Sequence, residues 1–256
     1  MTKLRLDWCS QAAARHAIER WHYSRAMPAS KLVRIGVWED DRFVGAIIYG
    51  TGANRHLARP FGVEQKEACE LVRVALAPGR AHPTSKCVSI SLRMLRKQSP
   101  GIKVVISYAD RKEGHLGIIY QATNWLFLGE ATQPYLRVLG QVMHPRSLYE
   151  RYGRGGQSVA WLRKHVDPQA RRQPMPNKLK YVYPFDEEVR RRLVSIAKPY
   201  PKRSSVGSIE VDAFPAQGKR RQFKSDPDAP HDEVAKQSSS WTSNGSSIAG
   251  LSERHV

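Results

Sequence analysis

Hydrophobic residues recur at helical spacing near the start of the chain, and two short segments rich in apolar residues, typical of strands, follow. Residues 10–21 predict a helix with Ser10 as its N-cap, because the apolar side chains fall on one face. Those side chains are Ala14, Ala17, Ile18 and Trp21. Residues 32–38 and 42–50 predict two strands, and the acidic residues between them predict a tight hairpin turn.

A strand, a loop and a helix are predicted next. In the strand over 69–77, two registers are open: either the apolar pair Leu71 and Val72 packs inward, or Glu70 and Arg73 face solvent. The loop runs from Pro78 and leads into a helix from about Ser85 to Lys97, which carries an apolar stripe. That stripe is Val88, Leu92 and Leu95.

Polar groups collect where a buried strand passes into a helix, within residues 103–125. The strand is Val104–Ile106, and the polar side chains that follow it are Ser107, Tyr108 and Asp110. Gly114 and Gly117 then bracket His115, and helical spacing from Leu116 predicts a helix that ends at Gly129. Since open α/β sheets place ligands at the carboxyl ends of strands, we expect the floor of an active site here.

The remaining pattern predicts a strand over 135–143, a short helix over 147–152 ended by Gly153, and a last strand over 180–184. This order of elements predicts one mixed α/β sheet covered by helices on both faces. Beyond Ser204 apolar periodicity is lost, so residues 1–203 are predicted to form the domain and 204–256 a disordered tail.

Charge and cysteine content narrow the function classes. The 256 residues carry 42 Lys and Arg against 23 Asp and Glu, a net charge of +19, which implies an anionic partner, nucleic acid first and a membrane surface second. Residues 146–203 hold fifteen Lys and Arg, five Asp and Glu, and interleaved aromatics, so this part is predicted to bind DNA. No apolar run is long enough to cross a bilayer, and the N-terminus lacks a signal-peptide core. Three cysteines without metal-ligand spacing favour a reducing, cytoplasmic location.

Several separated motifs occur in an order that resembles the Mom family of bacteriophage DNA-modification proteins. They are HYSRAMP, GVWEDDRFVGAIIYGTGA, ELVRVAL, VVISYAD and HLGIIYQATNW, and the likeness covers Trp21 to Tyr183. The resemblance implies a fold like the GCN5-related N-acetyltransferases. It also implies an enzyme that places a carbamoylmethyl group on N6 of adenine in double-stranded phage DNA, with the base flipped out, and so shields the DNA from host restriction.

The same resemblance implies a set of site residues. The catalytic residues would be His22, Tyr23, Arg73, Ser85, Asp110 and Tyr120. Of these, His22, Tyr23 and Asp110 would bind iron, and Arg73 and Ser85 would hold the group donor. The loop 78–85 departs from the acetyltransferase pattern, because one glycine and two prolines replace the glycine-rich turn that closes on pyrophosphate. Acyl-CoA is therefore disfavoured, and the donor is left unknown.

Each of these residues also has a plainer interpretation. Asp110 could accept the amine protons or cap the turn near Gly114, and His22 could be a base, a metal ligand or a surface residue. Tyr23 and Tyr120 could stack on a base or pack on the sheet. Arg73 could pair with a carboxylate or an anion or point to solvent, and Ser85 could be only a helix N-cap.

Phosphate contacts are predicted for basic residues of two regions, which are Arg25, Lys31, Arg151, Arg154, Arg163 and Lys164. Two rival functions stay open. One is acyl-CoA-dependent N-acetylation of another amine, and the other is DNA binding without catalysis.

Overall fold

The computed structural model describes residues 2–52 and 56–202, and a seven-stranded sheet forms their centre. The strands of the chain are β1 Leu4–Trp8, β2 Leu32–Glu39, β3 Arg42–Gly50, β4 Ala68–Leu76, β5 Val104–Asp110, β6 Leu126–Ala131, β7 Tyr135–Val138, β8 Gln141–Met143, β9 Arg171–Gln173 and β10 Lys178–Pro184. The large sheet has the order β1-β2-β3-β4-β5-β10-β6, in which β4 and β5 are parallel and the other neighbours antiparallel.

Helices cover both faces of this sheet. They are α1 Gln11–Trp21, α2 Thr84–Gln98, α3 Ile118–Gln121, α4 Pro145–Tyr152, α5 Val159–His165 and α6 Glu187–Val194. The buried residues of α2 pack with one set of alternating strand side chains, which includes Ile47 and Val105. Those of α1 and α6 pack with the opposite set, which includes Ile48 and Ile106. The predicted class, a mixed α/β sheet flanked by helices, is confirmed.

The parallel pair β4 and β5 separates part-way along its length. Their register runs only from Ala68 opposite Val104 to Glu70 opposite Ile106, although β4 continues to Leu76 and β5 to Asp110. A cleft therefore opens between the two strands at their carboxyl ends, which is where the sequence placed the floor of the site.

A small basic module is inserted between β6 and β10. We call residues 132–177 the inserted module: it contains the sheet β8-β7-β9, α4 and α5 around a separate core. That core is Leu136, Val138, Leu148, Leu162 and Ala170. The module leaves the large sheet at Ala131 and returns at Lys178, and these two residues are register partners. Because Lys178 also pairs with Asp110, the module is attached beside the cleft.

The predicted basic segment 146–203 is therefore not one structural unit. Its first part lies in the inserted module, whereas β10 is an interior strand of the large sheet. The strand predicted over 180–184 is present as part of β10, but nothing in the sequence indicated that it lies between two neighbouring strands of the large sheet. The predicted tail, residues 204–256, lies outside the described residues.

Two boundaries after the cleft differ from the predictions. The helix predicted to end at Gly129 ends at Gln121, because Asn124 has a positive φ of 59° and turns the chain into β6, in which Gly129 lies. The single strand predicted over 135–143 is a hairpin, since Leu139 and Gly140 both have positive φ angles, 49° and 76°.

Of the two predicted helix N-caps, one is confirmed and one is wrong. Ser10 is confirmed as the N-cap of α1, with its Oγ accepting from Ala13 N at 3.1 Å. The N-cap of α2 is Pro83 instead of Ser85, because the helix already begins at Thr84. The strands β1, β6 and β9 and the helices α5 and α6 were not predicted. In the described part of the chain, no helix combines the length and apolar character that crossing a membrane requires.

Candidate active site

The cleft between β4 and β5 contains a cavity of about 480 Å³. Its walls come from the end of α1 and the loop after it, from β4, from β5, from the first residue of α2 and from the turn leading into α3. The lining residues include Trp21, His22, Tyr23, Leu71, Arg73, Thr84, Ser107, Tyr108, His115, Gly117, Ile118 and Tyr120. Four of the six residues implied by the resemblance, His22, Tyr23, Arg73 and Tyr120, therefore line one cavity.

His22 is held as a neutral imidazole. Burial, with the nearby Arg73 and His115, lowers the pKa of His22 to about 4. The backbone N–H of Ser24 donates to Nδ1 at 3.1 Å, so in the neutral ring the proton is on Nε2. At neutral pH His22 can therefore donate a hydrogen bond through Nε2, and it is poorly suited to act as a base.

Tyr23 forms an aromatic surface at the rim of the cavity. Its ring stacks on His22 with 4.3 Å between centroids and meets His115 edge-on at 5.8 Å, while half of the residue stays exposed. Burial raises the pKa of Tyr23 against the opposing effect of Lys178 and Arg73, which keeps the hydroxyl protonated. An exposed ring braced by two imidazoles is suited to stacking on a planar ligand.

Arg73 brings a cation to the cavity wall from within β4. Its Nη1 donates to the carbonyl of Val72 at 2.7 Å, and its Nε is buried without a hydrogen-bond partner in the described residues. Burial lowers the pKa of Arg73, although nearby Tyr23 and Glu70 oppose the shift. Neither a solvent-directed side chain nor a simple ion pair describes this arginine, because its Nη1 binds the backbone and its Nε is buried, although the residue lines the cavity.

Tyr120 forms the buried floor of the cavity. A hydrogen bond of 2.8 Å joins its hydroxyl to Ser107 Oγ, which also lies 2.8 Å from the carbonyl of Leu71. Because Ser107 has one proton and a carbonyl can only accept, the Tyr120 hydroxyl is the donor to Ser107. Burial raises the pKa of Tyr120 to about 12. This chain of bonds ties β5 to β4 where their backbone pairing ends.

Asp110 is buried beside the cavity but is not among its lining residues. Its Oδ1 accepts from Lys112 N at 3.0 Å, capping the turn Arg111–Glu113, and its Oδ2 is 3.2 Å from Lys178 Nζ. Asp110 contributes to the electrostatic environment of Tyr23. Asp110 therefore caps the turn, as its plainer interpretation predicted, and also forms a cross-strand ion pair with Lys178.

The loop before α2 is closed by a side chain from another element. Glu39 is only 7% exposed, and its two carboxylate oxygens accept from the backbone N–H groups of Ala81 at 2.8 Å and His82 at 2.7 Å. Arg80 donates to the carbonyl of Ala77 at 2.6 Å and contacts Thr84 Oγ1. Ser85, one residue further into the helix, is not among the cavity-lining residues.

Comparisons with known proteins give one family. The model of the Mom protein family matches residues 3–202. This chain belongs to the Mom family. A Mom-family relative from Escherichia phage Mu, named methylcarbamoylase mom, is 27% identical over 206 residues, which cover 78% of this chain and 84% of the relative.

Solved structures also match this Mom-family chain. A protein described as an acetyltransferase of the GNAT family from Desulfovibrio desulfuricans matches with a TM-score of 0.39 and 13% identity, over 72% of this chain and 99% of that one. The ribosomal-protein-S5-alanine acetyltransferase of Vibrio fischeri matches with a TM-score of 0.40 and 9% identity, over 73% and 98%. Matches at these values carry no conclusion about the donor or the activity.

The residues implied to bind iron do not fit an iron site in this arrangement. Both oxygens of Asp110 already have partners, and the raised pKa of Tyr23 disfavours the phenolate that would bind a metal. Within 2–52 and 56–202, no three His, Cys, Asp or Glu side chains form a group that could hold a metal ion. Acyl-CoA fits no better, because Glu39 occupies N–H groups of the loop that would face its pyrophosphate.

The residues predicted to contact phosphate are all exposed and lie in two places. Arg25 and Lys31 are in the loop that follows α1 and carries Tyr23, and the other four are in the inserted module. Arg163 is partly structural there, since its Nε donates to the carbonyl of Ala170 at 2.8 Å. The inserted module holds eight Lys and Arg against two Asp and Glu.

Sequence reasoning missed three residues that shape the site. Lys178 pairs with Asp110 because β5 and β10, which are far apart in the sequence, are neighbours in the sheet. Glu39 was interpreted as a turn residue, although it reaches a loop forty-two positions away. Ile118 lines the cavity and is 62% exposed. The helical spacing in the sequence joins Leu116, Ile119, Tyr120 and Thr123 and leaves Ile118 out, which was a signal that Ile118 faces outward.

Proposed function

We propose that this chain is a transferase that modifies phage DNA by adding a carbamoylmethyl group to N6 of adenine, which protects the DNA from host restriction. Membership of the Mom family and the phage Mu relative support DNA modification as the broader function. One observation carries the proposal: a cavity lined by aromatic rings and a partly unpaired arginine opens beside the attachment point of a basic module.

The size and lining of the cavity suit a flipped base. Its volume of about 480 Å³ lies within the range of roughly 300–1,000 Å³ of small-molecule sites. A base leaving the duplex loses its stacking, and an exposed ring such as Tyr23 would replace part of it. Ile118, the other exposed apolar residue of the lining, would fill the space left in the duplex.

The chemistry requires an acceptor for the amine protons and donors for developing negative charge, because the adenine amine is a weak nucleophile. Arg73 and the Nε2–H of His22 are the donors. His115 is the acceptor that the geometry favours, since it lines the cavity against Tyr23 whereas both oxygens of Asp110 have other partners. Asp110 would then position the turn that carries His115.

The inserted module would hold the duplex by its phosphates. Its attachment at Lys178, opposite Asp110, supports a duplex that runs from the module to the cavity. Burial, Arg146 and Lys178 lower the pKa of His144, and the contribution of Lys178 supports a position of His144 near this edge of the sheet. Binding of this kind weakens steeply as salt rises.

Nuclease-digested DNA from cells that express the protein, analysed by mass spectrometry, separates this proposal from its two rivals. A heavier deoxyadenosine supports DNA modification. Acetyl-CoA turnover on other amines without a heavier nucleoside supports a conventional acetyltransferase. DNA binding with neither product supports a binding protein without catalysis.

A further inference from the structure

Glu39 lies at the end of β2, held on both sides by the large sheet. Its backbone is the register partner of Leu4 in β1 and of Arg42 in β3. From this fixed position the side chain reaches the loop between β4 and α2, where it is almost fully buried. The carboxylate is therefore a built part of the loop.

The contacts of that carboxylate are those that a bound phosphate would make. Successive backbone N–H groups at the entry to a helix form a concave anion site, and here those of Ala81 and His82 each donate to a different oxygen of Glu39. Pro78 and Pro83 supply no N–H to the loop. A phosphate seeking the same donors would have to displace a buried carboxylate or lie against it.

Other groups of the loop also make internal contacts. Arg80 donates through its two terminal nitrogens to the carbonyl of Ala77 and to Thr84 Oγ1, while its Nε is buried without a partner in the described residues. His82 Nε2 lies 3.0 Å from the carbonyl of Thr2, so the first residues of the chain close the outer side. Thr84 nevertheless lines the cavity, which leaves the loop adjacent to the site but filled.

We infer that Glu39 replaces the diphosphate of a nucleotide-linked donor, so that the group donor of the proposed reaction is a molecule recognised without a diphosphate at this loop. The inference rests on the proposed function, because a group donor exists only if the transfer reaction does. The occupation of the loop by Glu39 does not depend on that function. Among the residues that line the cavity, the cation is Arg73, and its guanidinium suits a single carboxylate or phosphate on a small donor.

Binding of three probes to the full chain, measured by calorimetry, tests this inference. The probes are acetyl-CoA, S-acetylpantetheine, which has the same thioester arm without phosphates, and inorganic pyrophosphate. We expect wild-type protein to bind the two thioesters equally weakly and pyrophosphate not to compete. Acetyl-CoA that binds wild-type protein about tenfold or more tightly than S-acetylpantetheine, with competition by pyrophosphate, would overturn the inference.

Substitution of Glu39 supplies the converse test. Glu39→Gln and Glu39→Ala remove the negative charge from the loop, and we expect affinity for pyrophosphate to rise by about tenfold or more. Asp41→Asn is the matched control, because it removes a charge from the same hairpin but from an exposed side chain next to Arg5. Equal pyrophosphate affinity in wild-type and folded Glu39 variants would show that Glu39 is not what excludes the anion.

The outcome is independent of the DNA reaction. If thermal melting shows that the Glu39 variants do not fold, the comparison of acetyl-CoA with S-acetylpantetheine on wild-type protein still decides the question. Failure of the proposed function would instead appear as unmodified DNA in expressing cells, whatever the binding results.

Discussion

The turn that carries His115 and Ile118 depends on a close approach between Gly117 and the ring of Tyr181. Gly117 has a φ of 75°, and a Cβ there would overlap the Tyr181 ring, lying 2.5 Å from Cζ and 2.8 Å from the hydroxyl oxygen. The ring cannot move aside easily, because it is fully buried and its hydroxyl donates to the carbonyl of Leu116 at 2.6 Å.

Gly117→Ala should therefore destabilise the protein by two mechanisms. The left-handed backbone costs an alanine about 1–2 kcal/mol. Overpacking against the buried ring adds about 1–3 kcal/mol, so the expected loss in free energy of unfolding is roughly 2–5 kcal/mol. Gly114→Ala is the matched control: Gly114 has a φ of 71° but nothing within 4 Å of a built Cβ, so only the backbone strain applies.

Urea denaturation of the two variants and wild-type protein, followed by circular dichroism, measures this difference. We expect Gly117→Ala to be less stable than Gly114→Ala by about 1–3 kcal/mol, the overpacking contribution alone. Equal destabilisation would refute the close packing of the turn on Tyr181, and with it the position of His115 and Ile118 at the cavity.

Three further predictions concern single groups of the site and the module. The His22 ring should stay neutral in an NMR titration until about pH 4, and a titration near pH 6.5 would contradict this. Because the ring in the unfolded chain binds its proton near pH 6.5, the free energy of unfolding should decrease as pH falls from 6.5 to about 4. The decrease should be roughly 1–2 kcal/mol, which allows for solvent screening at the partly exposed ring. Tyr120→Phe removes one buried hydrogen bond, to Ser107, and should cost about 1 kcal/mol in chemical denaturation; an unchanged midpoint would argue against that bond. Replacing both Arg151 and Arg154 by alanine should weaken DNA binding and reduce the slope of log affinity against log salt by about 2 in fluorescence anisotropy, if each contacts one phosphate; an unchanged slope would place the duplex elsewhere.

Local signals in the sequence were sufficient for much of the sheet. The Ser10 cap and the hairpin over β2 and β3 depend on neighbouring residues, and the structure contains both. The strand predicted over Val104–Ile106 is also present, but it continues to Asp110. The hairpin at Leu139 and Gly140 was missed because leucine rarely takes a positive φ, so the dipeptide gives no turn signal.

The unpredicted parts of the site depend on long-range pairing. The partner of Asp110 is decided by the register of β10, and the occupant of the loop before α2 by the distant Glu39. Motif resemblance did bring His22 and Arg73 into one set, and the structure places both in one cavity. It gave no information on which ring nitrogen of His22 carries the proton, because that depends on the backbone N–H of Ser24.

The most direct test of the account is the mass of deoxyadenosine in DNA from cells that express wild-type protein, Arg73→Gln or Arg93→Gln. Arg93 is an exposed arginine of α2 and serves as the control for charge and expression. We predict a deoxyadenosine heavier by one carbamoylmethyl group with wild-type protein and Arg93→Gln, and about a hundredfold less of it, or lower still, with Arg73→Gln. Unmodified deoxyadenosine with wild-type protein, or equal modification by all three, would contradict it.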